Sequence, residues 1–292
     1  MSTAKPPVTV LGAGSMSSAL ARAFLDAAYP THVWNRTIDR AEPLADAGAT
    51  VHPAIADAVR AGSVIISCLT TAAATRESLL PAADQLSGRA LITLHTAVPA
   101  QAREFAHWTE EVGARYLGGA IKNVPAAVGN PDTLLYFGGD REVFDEHTET
   151  LRVLGGDLEF LGPEPDLAAL YESAVGATLL PALLGFLEGA AVLAARGLPA
   201  HTMVPYSVKW LQMIESLLPT LAEEIDTEDY TRLGASVGLF HGALADDDQL
   251  AADTGVDMSW HAPMRELLRR AVAEGRGEQS VTALFELLAA PR

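Results

Sequence analysis

The sequence predicts an α/β protein in which an N-terminal doubly wound parallel sheet is followed by one long apolar helix and an all-helical C-terminal part. Short β-branched runs alternate with helical segments up to Leu161, the pattern of a parallel sheet with helices on both faces. No strand pattern follows Leu161. Between the two parts, residues 166–196 are apolar on every helical face and hold only two internal charges, Glu172 and Glu188.

The amino-acid composition argues against several classes of function. The 292 residues are 49% hydrophobic, enough for two domains with their own cores. A formal net charge of −17 argues against nucleic-acid and anionic-membrane partners, because phosphate binding requires clustered Lys and Arg. The single cysteine, Cys68, excludes an internal disulfide, and its apolar neighbours indicate a buried thiol rather than a nucleophile. The stretch MSTAKPP has no apolar run, so we expect a cytoplasmic protein.

The first strand and helix carry a glycine turn, VTVLGAGSM, typical of a Rossmann-type nucleotide-binding fold. Gly12 and Gly14 allow a tight turn and close approach of a pyrophosphate to the helix N-terminus. The usual third glycine is Ser17, so an ordinary strand-to-helix turn remains the alternative. The predicted phosphate-binding residues are Gly12, Ala13, Gly14, Ser15 and Met16.

The second strand, THVWNR, ends where NAD enzymes place an acid on the ribose 2′-hydroxyl. This chain has Asn35 there, followed by Arg36, Thr37 and Arg40. Guanidinium groups match a 2′-phosphate bidentately, so the cluster favours NADP(H). The alternative is a solvated loop with chance arginines.

Further strands predicted at SVIISCL, RALITL, ARYLGGAI, TLLYFGG and LEFLG complete the sheet, which closes near Pro163. Ligands bind beyond the carboxyl ends of such strands. We therefore expect three segments around a nicotinamide: Cys68-Leu69-Thr70, His95-Thr96-Ala97 and Ile121-Lys122-Asn123.

A single helix over Asp166–Arg196 would be roughly 45 Å long at 1.5 Å per residue, so it must run between two bodies. Its longest charge-free run, Ser173–Leu187, is shorter than the roughly 20 residues that cross a bilayer. Pro181 interrupts that run, and its ring clashes with the carbonyl of Ala177, which predicts a kink. We therefore predict a buried helix and no membrane span.

The predicted domains are 1–163 for the nucleotide, 164–197 for the interdomain helix and 198–292 for a helical substrate and dimerisation domain. Three adjacent acids, Asp246-Asp247-Asp248, invite a metal-site interpretation. Neighbouring residues on a helix point in different directions, so we interpret them as a solvated face and expect no metal.

Several blocks together resemble the imine reductase and reductive aminase branch of the β-hydroxyacid dehydrogenase superfamily. The resemblance spans nearly the whole chain and rests on VTVLGAGSM, VWNRT with Arg40, YLGGAIKNVPAAVGNPDTLLYFGG, LYES, GFLEGAA, VKW, and GVD followed by MRELLRRAV. It implies bound NADPH, hydride transfer to a C=N bond, an imine or a ketone plus an amine as substrate, and a homodimer formed by exchange of helical domains.

The resemblance also identifies departures. Glu172 stands where imine reductases place an acid, usually Asp, but Leu180 stands where a Tyr is common and cannot donate a proton. Glu188 replaces a common His, His95 an Asn, and Lys122 an apolar residue. The catalytic candidates are therefore Glu172, His95 and Lys122, with Glu172 either a proton donor to a neutral imine or a carboxylate that holds an iminium.

The implied substrate-binding residues are Tyr171, Leu180, Trp210, Phe240 and His241. Trp210 is either a cation–π wall or an ordinary core residue, and Tyr171 and His241 are reserve donors or structural residues. Glu172 has a structural alternative too, a solvated first-turn residue favoured by the helix dipole.

Two rival functions remain. Dehydrogenase relatives carry a catalytic lysine on the interdomain helix, and this chain has no lysine between Asp166 and Arg196, which argues against alcohol oxidation. A carbonyl reductase with Lys122 or His95 as the acid is the first rival. An NADP-binding protein without turnover is the second.

Overall fold

The computed structural model describes residues 5–95 and 97–289. Its backbone contacts divide the chain into two compact units that meet between Ala177 and Thr178. The first unit contains one eight-stranded sheet, whose strands are β1 Val8–Leu11, β2 Thr31–Trp34, β3 Thr50–Val51, β4 Val64–Ser67, β5 Ala90–Thr93, β6 Arg115–Lys122, β7 Leu134–Gly139 and β8 Asp157–Gly162.

The spatial order of the sheet is β3-β2-β1-β4-β5-β6-β7-β8. Strands β1 to β6 pair in parallel, as predicted. The last two strands differ from the prediction, because β7 runs antiparallel to β6 and β8 runs parallel to β7. The order reverses between β1 and β4, and this switch point is where ligands bind in doubly wound sheets. The predicted fold class is confirmed, with a mostly parallel sheet.

Helices cover both faces of the sheet. The first unit has α1 Ser15–Asp26, α2 Glu42–Ala45, α3 Ile55–Ala61, α4 Ala72–Leu79, α5 Pro99–Glu111, α6 Arg141–Leu151 and α7 Leu167–Gly176. Alternate residues of β1 face opposite cores: Val8 and Val10 pack with α1, α2 and α6, whereas Leu11 packs with α3, α4 and α5. Every residue of β1, β4 and β5 is buried, the pattern of central strands covered on both faces.

The second unit is helical in its described part, apart from one isolated bridge between Ser236 and Ser280. Its helices are α8 Leu179–Ala194, α9 Val204–Thr227, α10 Val237–Thr254, α11 Ala262–Ala273 and α12 Phe285–Leu288. A fully buried carboxylate, Glu224 on α9, accepts hydrogen bonds from the backbone N–H groups of Arg232 and Leu233 and from the Ser280 hydroxyl. Glu224 thereby links α9 to the C-terminal segment.

The long helix predicted over 166–196 is present as α7 and α8, separated at residues 177–178. Both separating residues keep right-handed helical φ and ψ angles. The break lies one turn before Pro181, which has no N–H to bond the carbonyl of Ala177, so the sequence cause is the one anticipated for a kink. Because α7 packs on the sheet through Ala168 and Ala169, it belongs to the first unit.

The acidic run on α10 is more than a solvated face. The carboxylate of Asp247 lies 3.1 Å from His261 Nδ1 and 3.5 Å from Arg265 Nη2, and Asp248 lies 2.6 Å from Arg265 Nη1. His261 Nε2 lies 3.0 Å from Oε2 of Glu188 on α8. These charge pairs connect α8, α10 and α11. Among the described residues, no three His, Cys, Asp or Glu side chains are grouped to hold a metal ion.

The apolar surface of α8 is uncovered in the single chain. None of its residues is buried, and Leu180 and Leu187 keep 63% and 60% of their surface exposed. By length and composition alone, the stretch Leu167–Ala194 could form a helix that crosses a membrane. However, the first third of this stretch is α7, which packs on the sheet, and the stretch is interrupted at residues 177–178.

Candidate active site

A cavity of about 570 Å³ lies within the first unit at the carboxyl ends of the central strands. It brings together every predicted cofactor-binding residue that the structure describes; Thr96 lies outside the described residues. The residues from the prediction that line it are Gly12, Ala13, Gly14, Ser15, Met16, Asn35, Arg36, Thr37, Arg40, Cys68, Leu69, Thr70 and His95. Glu172 lines the same cavity.

The glycine turn opens this cavity at the N-terminus of α1. Gly12 has a φ of +120°, and a Cβ there would come within 2.6 Å of Ser17 Oγ, so glycine is required. Among residues 5–95 and 97–289, a Cβ at Gly14 would meet no atom within 4 Å, and no side chain of this part of the chain caps the first turn of α1. Ser17, in the place of the third glycine, donates its hydroxyl hydrogen to the Cys68 carbonyl at 2.7 Å. The turn thus leaves room and free N–H groups for a phosphate.

Asn35 connects the two loops on which an adenosine phosphate would rest. Its Oδ1 accepts a hydrogen bond from the N–H of Ala13 at 3.1 Å, and its Nδ2 donates to the carbonyl of Thr37 at 2.7 Å. Arg36 and Arg40 are exposed at the rim, and neither forms an ion pair with any described residue. The loop therefore presents two unpaired guanidinium groups and no carboxylate at the position that selects the cofactor.

Burial shifts the pKa values of two titratable groups that line this cavity, His95 and Cys68. It lowers the pKa of His95 to about 4, so the imidazole is neutral at physiological pH. The Nδ1 atom of His95 has no hydrogen-bond partner among the described residues. Burial also raises the pKa of Cys68 to about 11, so the thiol stays protonated, as expected for a structural cysteine.

One oxygen of the Glu172 carboxylate has two polar partners, a lysine in an ion pair and a tyrosine in a hydrogen bond. Lys122 Nζ lies 3.1 Å from Oε2, and the phenol of Tyr136 donates to the same Oε2 at 3.1 Å. Burial, and then the negative charge of Glu172, raise the pKa of Tyr136, so its phenol remains a donor. Glu172 is thus a partly buried, paired carboxylate and not the solvated first-turn residue of the alternative interpretation; its side chain is 22% exposed.

Sequence reasoning missed Tyr136. In the antiparallel pairing of β6 with β7, Ala120 lies opposite Tyr136 and Lys122 lies opposite Leu134. Side chains two residues apart on one strand share a face, so Lys122 and Tyr136 are diagonal neighbours on the face that α7 covers. Only the antiparallel register brings them together, and the sequence was interpreted with parallel strands.

The predicted substrate-binding residues are divided between the units. Tyr171 is in the first unit, 45% exposed, with its ring centroid 6.2 Å from that of Tyr136. The other four belong to the second unit. Leu180, Trp210 and Phe240 are exposed there by 63%, 66% and 43%, and His241 is half-buried. In the single chain, Trp210 is therefore not a core residue.

Comparison with known proteins agrees with this geometry. Residues 164–290 match the model of the NADPH-dependent reductive aminase-like C-terminal domain, and residues 7–162 match the NAD binding domain of 6-phosphogluconate dehydrogenase. The NADPH-dependent reductive aminase of Aspergillus oryzae is 30% identical over 283 residues, which is 96% of each chain.

Solved structures show the same likeness. An Aspergillus terreus reductive aminase in complex with NADPH and ethyl levulinate superposes with a TM-score of 0.92 at 30% identity, covering 98% of this chain and all of that one. A Myxococcus stipitatus imine reductase in complex with NADP+ gives 0.90 at 28% identity, covering 97% and 100%. This chain belongs to the family of NADPH-dependent reductive aminases and imine reductases. Its members are oxidoreductases of C=N bonds, so the resemblance identified in the sequence is confirmed.

The cavity of this family member fits NADPH on its own evidence. The open position beside Gly14, the uncapped N-terminus of α1 and the unpaired guanidinium groups of Arg36 and Arg40 each match a phosphate of the cofactor. When bound, NADPH supplies a hydride. The roles assigned to individual site residues remain predictions.

Proposed function

We propose that this reductive aminase relative reduces C=N bonds with NADPH, with the carboxylate of Glu172 holding the substrate nitrogen. The proposal also includes in-situ reduction of the imine formed from a ketone and an amine. The single observation that carries it is that Glu172 lines the same cavity as the nucleotide-binding turn. A carboxylate facing the hydride acceptor suits a C=N bond, because the protonated iminium is a cation.

Of the two roles considered for Glu172, its two polar partners favour the anionic one. Oε2 accepts a hydrogen bond from the Tyr136 phenol and lies 3.1 Å from the Lys122 ammonium, and a donor and a positive charge both interact better with a carboxylate anion than with a neutral acid. In hydride transfer to an iminium, the new C–H bond forms from the hydride pair while the C=N π electrons move to nitrogen. The product is a neutral amine, so the step consumes no further proton.

A neutral imine requires a proton in addition. Leu180 has none to give, and His95 is neutral above its pKa of about 4. Lys122 is the remaining cationic donor beside Glu172, and we assign it this proton.

The family resemblance further suggests a homodimer in which helical domains are exchanged, and we include it in the proposal. Its support is the uncovered surface of α8, where no residue is buried. A second copy of the chain would present the same apolar helix to cover it, and soluble monomers rarely leave large apolar patches exposed.

The test compares two substrates, a neutral cyclic imine and its permanently charged N-methyl iminium, in wild type and Glu172→Gln. We expect NADPH-dependent reduction of both by wild type, and a fall in kcat/KM of about 10² in the variant. Glu149→Gln, a 90% exposed glutamate on α6, is the matched control and should change nothing.

Two results would contradict the proposal. Reduction of a keto acid in the absence of any amine, with no activity on the imines, would favour a carbonyl reductase that uses Lys122 as its acid. Binding of NADPH without turnover of either imine would leave a cofactor-binding protein.

A further inference from the structure

We propose that Tyr136 is a positioning residue of the reaction centre: its phenol fixes Oε2 of Glu172, and this leaves Oε1 to face the positively charged nitrogen of the iminium substrate. The inference rests on the proposed function of Glu172. It concerns a residue on the sheet, whereas the tyrosine expected from the family resemblance would stand on the helix, at Leu180.

The contact is made between two rigid elements. Tyr136 is 3% exposed in the middle of β7 and packs in one cluster with Ala120 of β6 and Ala168 of α7. Its hydroxyl reaches Glu172 Oε2 at 3.1 Å, across the interface between the sheet and α7. A buried ring on a central position of a strand has few accessible rotamers, so the oxygen that it bonds is held in place.

Lys122, the other polar partner of Oε2, is less able to orient the Glu172 carboxylate. Lys122 is a flexible four-carbon chain that ends in a point charge with three rotatable N–H groups, and its side chain is 22% exposed. An ammonium can follow a carboxylate that rotates, whereas a fixed phenol cannot. Lys122 thus contributes mainly a positive charge beside Glu172, whereas Tyr136 fixes the orientation of the Glu172 carboxylate.

The distribution of partners over the carboxylate supports this division. Both the phenol and the ammonium lie at Oε2, and Oε1 has no hydrogen-bond partner among the described residues. Burial and the neighbouring carboxylate keep the phenol protonated, so Tyr136 donates over the whole working pH range. Because the phenol contacts Glu172 and its own ring neighbours, it acts through Glu172 and is not itself a catalytic residue.

The adjacent strand offers a matched control. Tyr116 on β6 is also buried, at 9% exposure, and its phenol forms a hydrogen bond of 2.9 Å with Thr93 Oγ1. Tyr116→Phe and Tyr136→Phe therefore each remove one buried phenolic hydrogen bond. Only Tyr136→Phe removes a bond to Glu172.

The first measurement is kinetic. We expect Tyr136→Phe to lower kcat for the N-methyl iminium about tenfold with little change in KM, and to move the acid limb of the pH profile to higher pH, because the carboxylate loses one stabilising donor. Tyr116→Phe should stay within threefold of wild type and keep its pH profile. In the Glu172→Gln background, Tyr136→Phe should lower kcat less than twofold.

The second measurement is independent of turnover. The carboxylate band of Glu172, isolated as the infrared difference between wild type and Glu172→Gln, should move in frequency in Tyr136→Phe, because the carboxylate loses a hydrogen bond, and should stay in place in Tyr116→Phe. Equal effects of the two phenylalanine variants, or a full tenfold loss in the Glu172→Gln background, would overturn the inference. If wild type reduces no imine but the band moves as expected, the proposed function fails and the coupling of Tyr136 to Glu172 stands.

Discussion

The ammonium group of Lys122 lies 3.1 Å from Oε2 of Glu172, and each of the two side chains keeps 22% of its surface exposed. This pairing has two opposite consequences for imine reduction. The ammonium neutralises part of the charge that would attract an iminium, and it also provides a proton that a neutral imine needs. The two substrate types should therefore respond in opposite directions when Lys122 is removed.

Lys122→Met should lower the KM for an N-methyl iminium by about fivefold, because a partly exposed ion pair is worth about 1 kcal/mol. The same variant should lower kcat for a neutral imine at least tenfold, because the proton donor is lost. Steady-state kinetics with both substrates at saturating NADPH measure this. Lys5→Met, which removes a lysine that contacts Ala27 and the ring of Tyr29, is the control. A parallel fall for both substrates would reduce Lys122 to a structural role.

The second prediction concerns cofactor choice. Arg36→Ala combined with Arg40→Ala should lower kcat/KM for NADPH ten- to a hundredfold and change that for NADH less than threefold, because only the 2′-phosphate uses the guanidinium groups. Arg60→Ala removes an exposed arginine that is already paired with Asp57 and should leave both values unchanged. Equal losses for the two cofactors would show that the arginines act on the shared part of the dinucleotide.

The residues predicted from local sequence signals to bind the nucleotide line one cavity in the structure. The glycine turn, Asn35 and the arginines lie within one strand-turn-helix unit and the next strand end, so their spacing in the chain fixes their spacing in the fold. Strand alternation likewise predicted the order of buried strands. The local clash of Pro181 predicted the place of the helix break, although not that it would separate α7 from α8.

Contacts between residues that lie far apart in the chain could not be predicted from the sequence. Lys122 and Glu172 are fifty residues apart, and their contact depends on how α7 crosses the sheet. Tyr136 joins them only because β7 is antiparallel to β6, and no residue in TLLYFGG specifies strand direction. The contacts of His261 with Glu188 and Asp247 were missed for the same reason, since they join separate helical segments of the second unit.

The third prediction concerns assembly. Leu187→Glu places a charge on the uncovered surface of α8, where the leucine is 60% exposed, and should convert the expected dimer to a monomer at micromolar concentration. Light scattering coupled to gel filtration measures the mass. Leu80→Glu alters a leucine of similar exposure, 54%, in the first unit and should leave the mass unchanged. A wild-type protein that is monomeric and fully active would contradict the assembly itself.

The last prediction follows from His95. Its pKa is about 4 in the folded protein because of burial, against an ordinary value of 6.5, so between these values the unfolded chain binds a proton that the folded chain does not. The free energy of unfolding contributed by His95 is therefore fully present above pH 6.5 and falls as the pH drops toward 4. Between pH 7.5 and 5.5 the loss should be about 1.3 kcal/mol at most.

His95→Asn should remove this contribution, so denaturant unfolding at one fixed protein concentration should show a smaller loss on acidification in the variant than in wild type. His32 and His147, whose pKa values burial also lowers, are present in both proteins and cancel in the difference. His107→Asn, at an exposed histidine on α5, should keep the wild-type slope. Equal slopes for wild type and His95→Asn would mean that the imidazole titrates in the folded protein as it does in the unfolded chain, in which case a fraction of His95 would be protonated near neutral pH and would compete with Lys122 as the proton donor to a neutral imine.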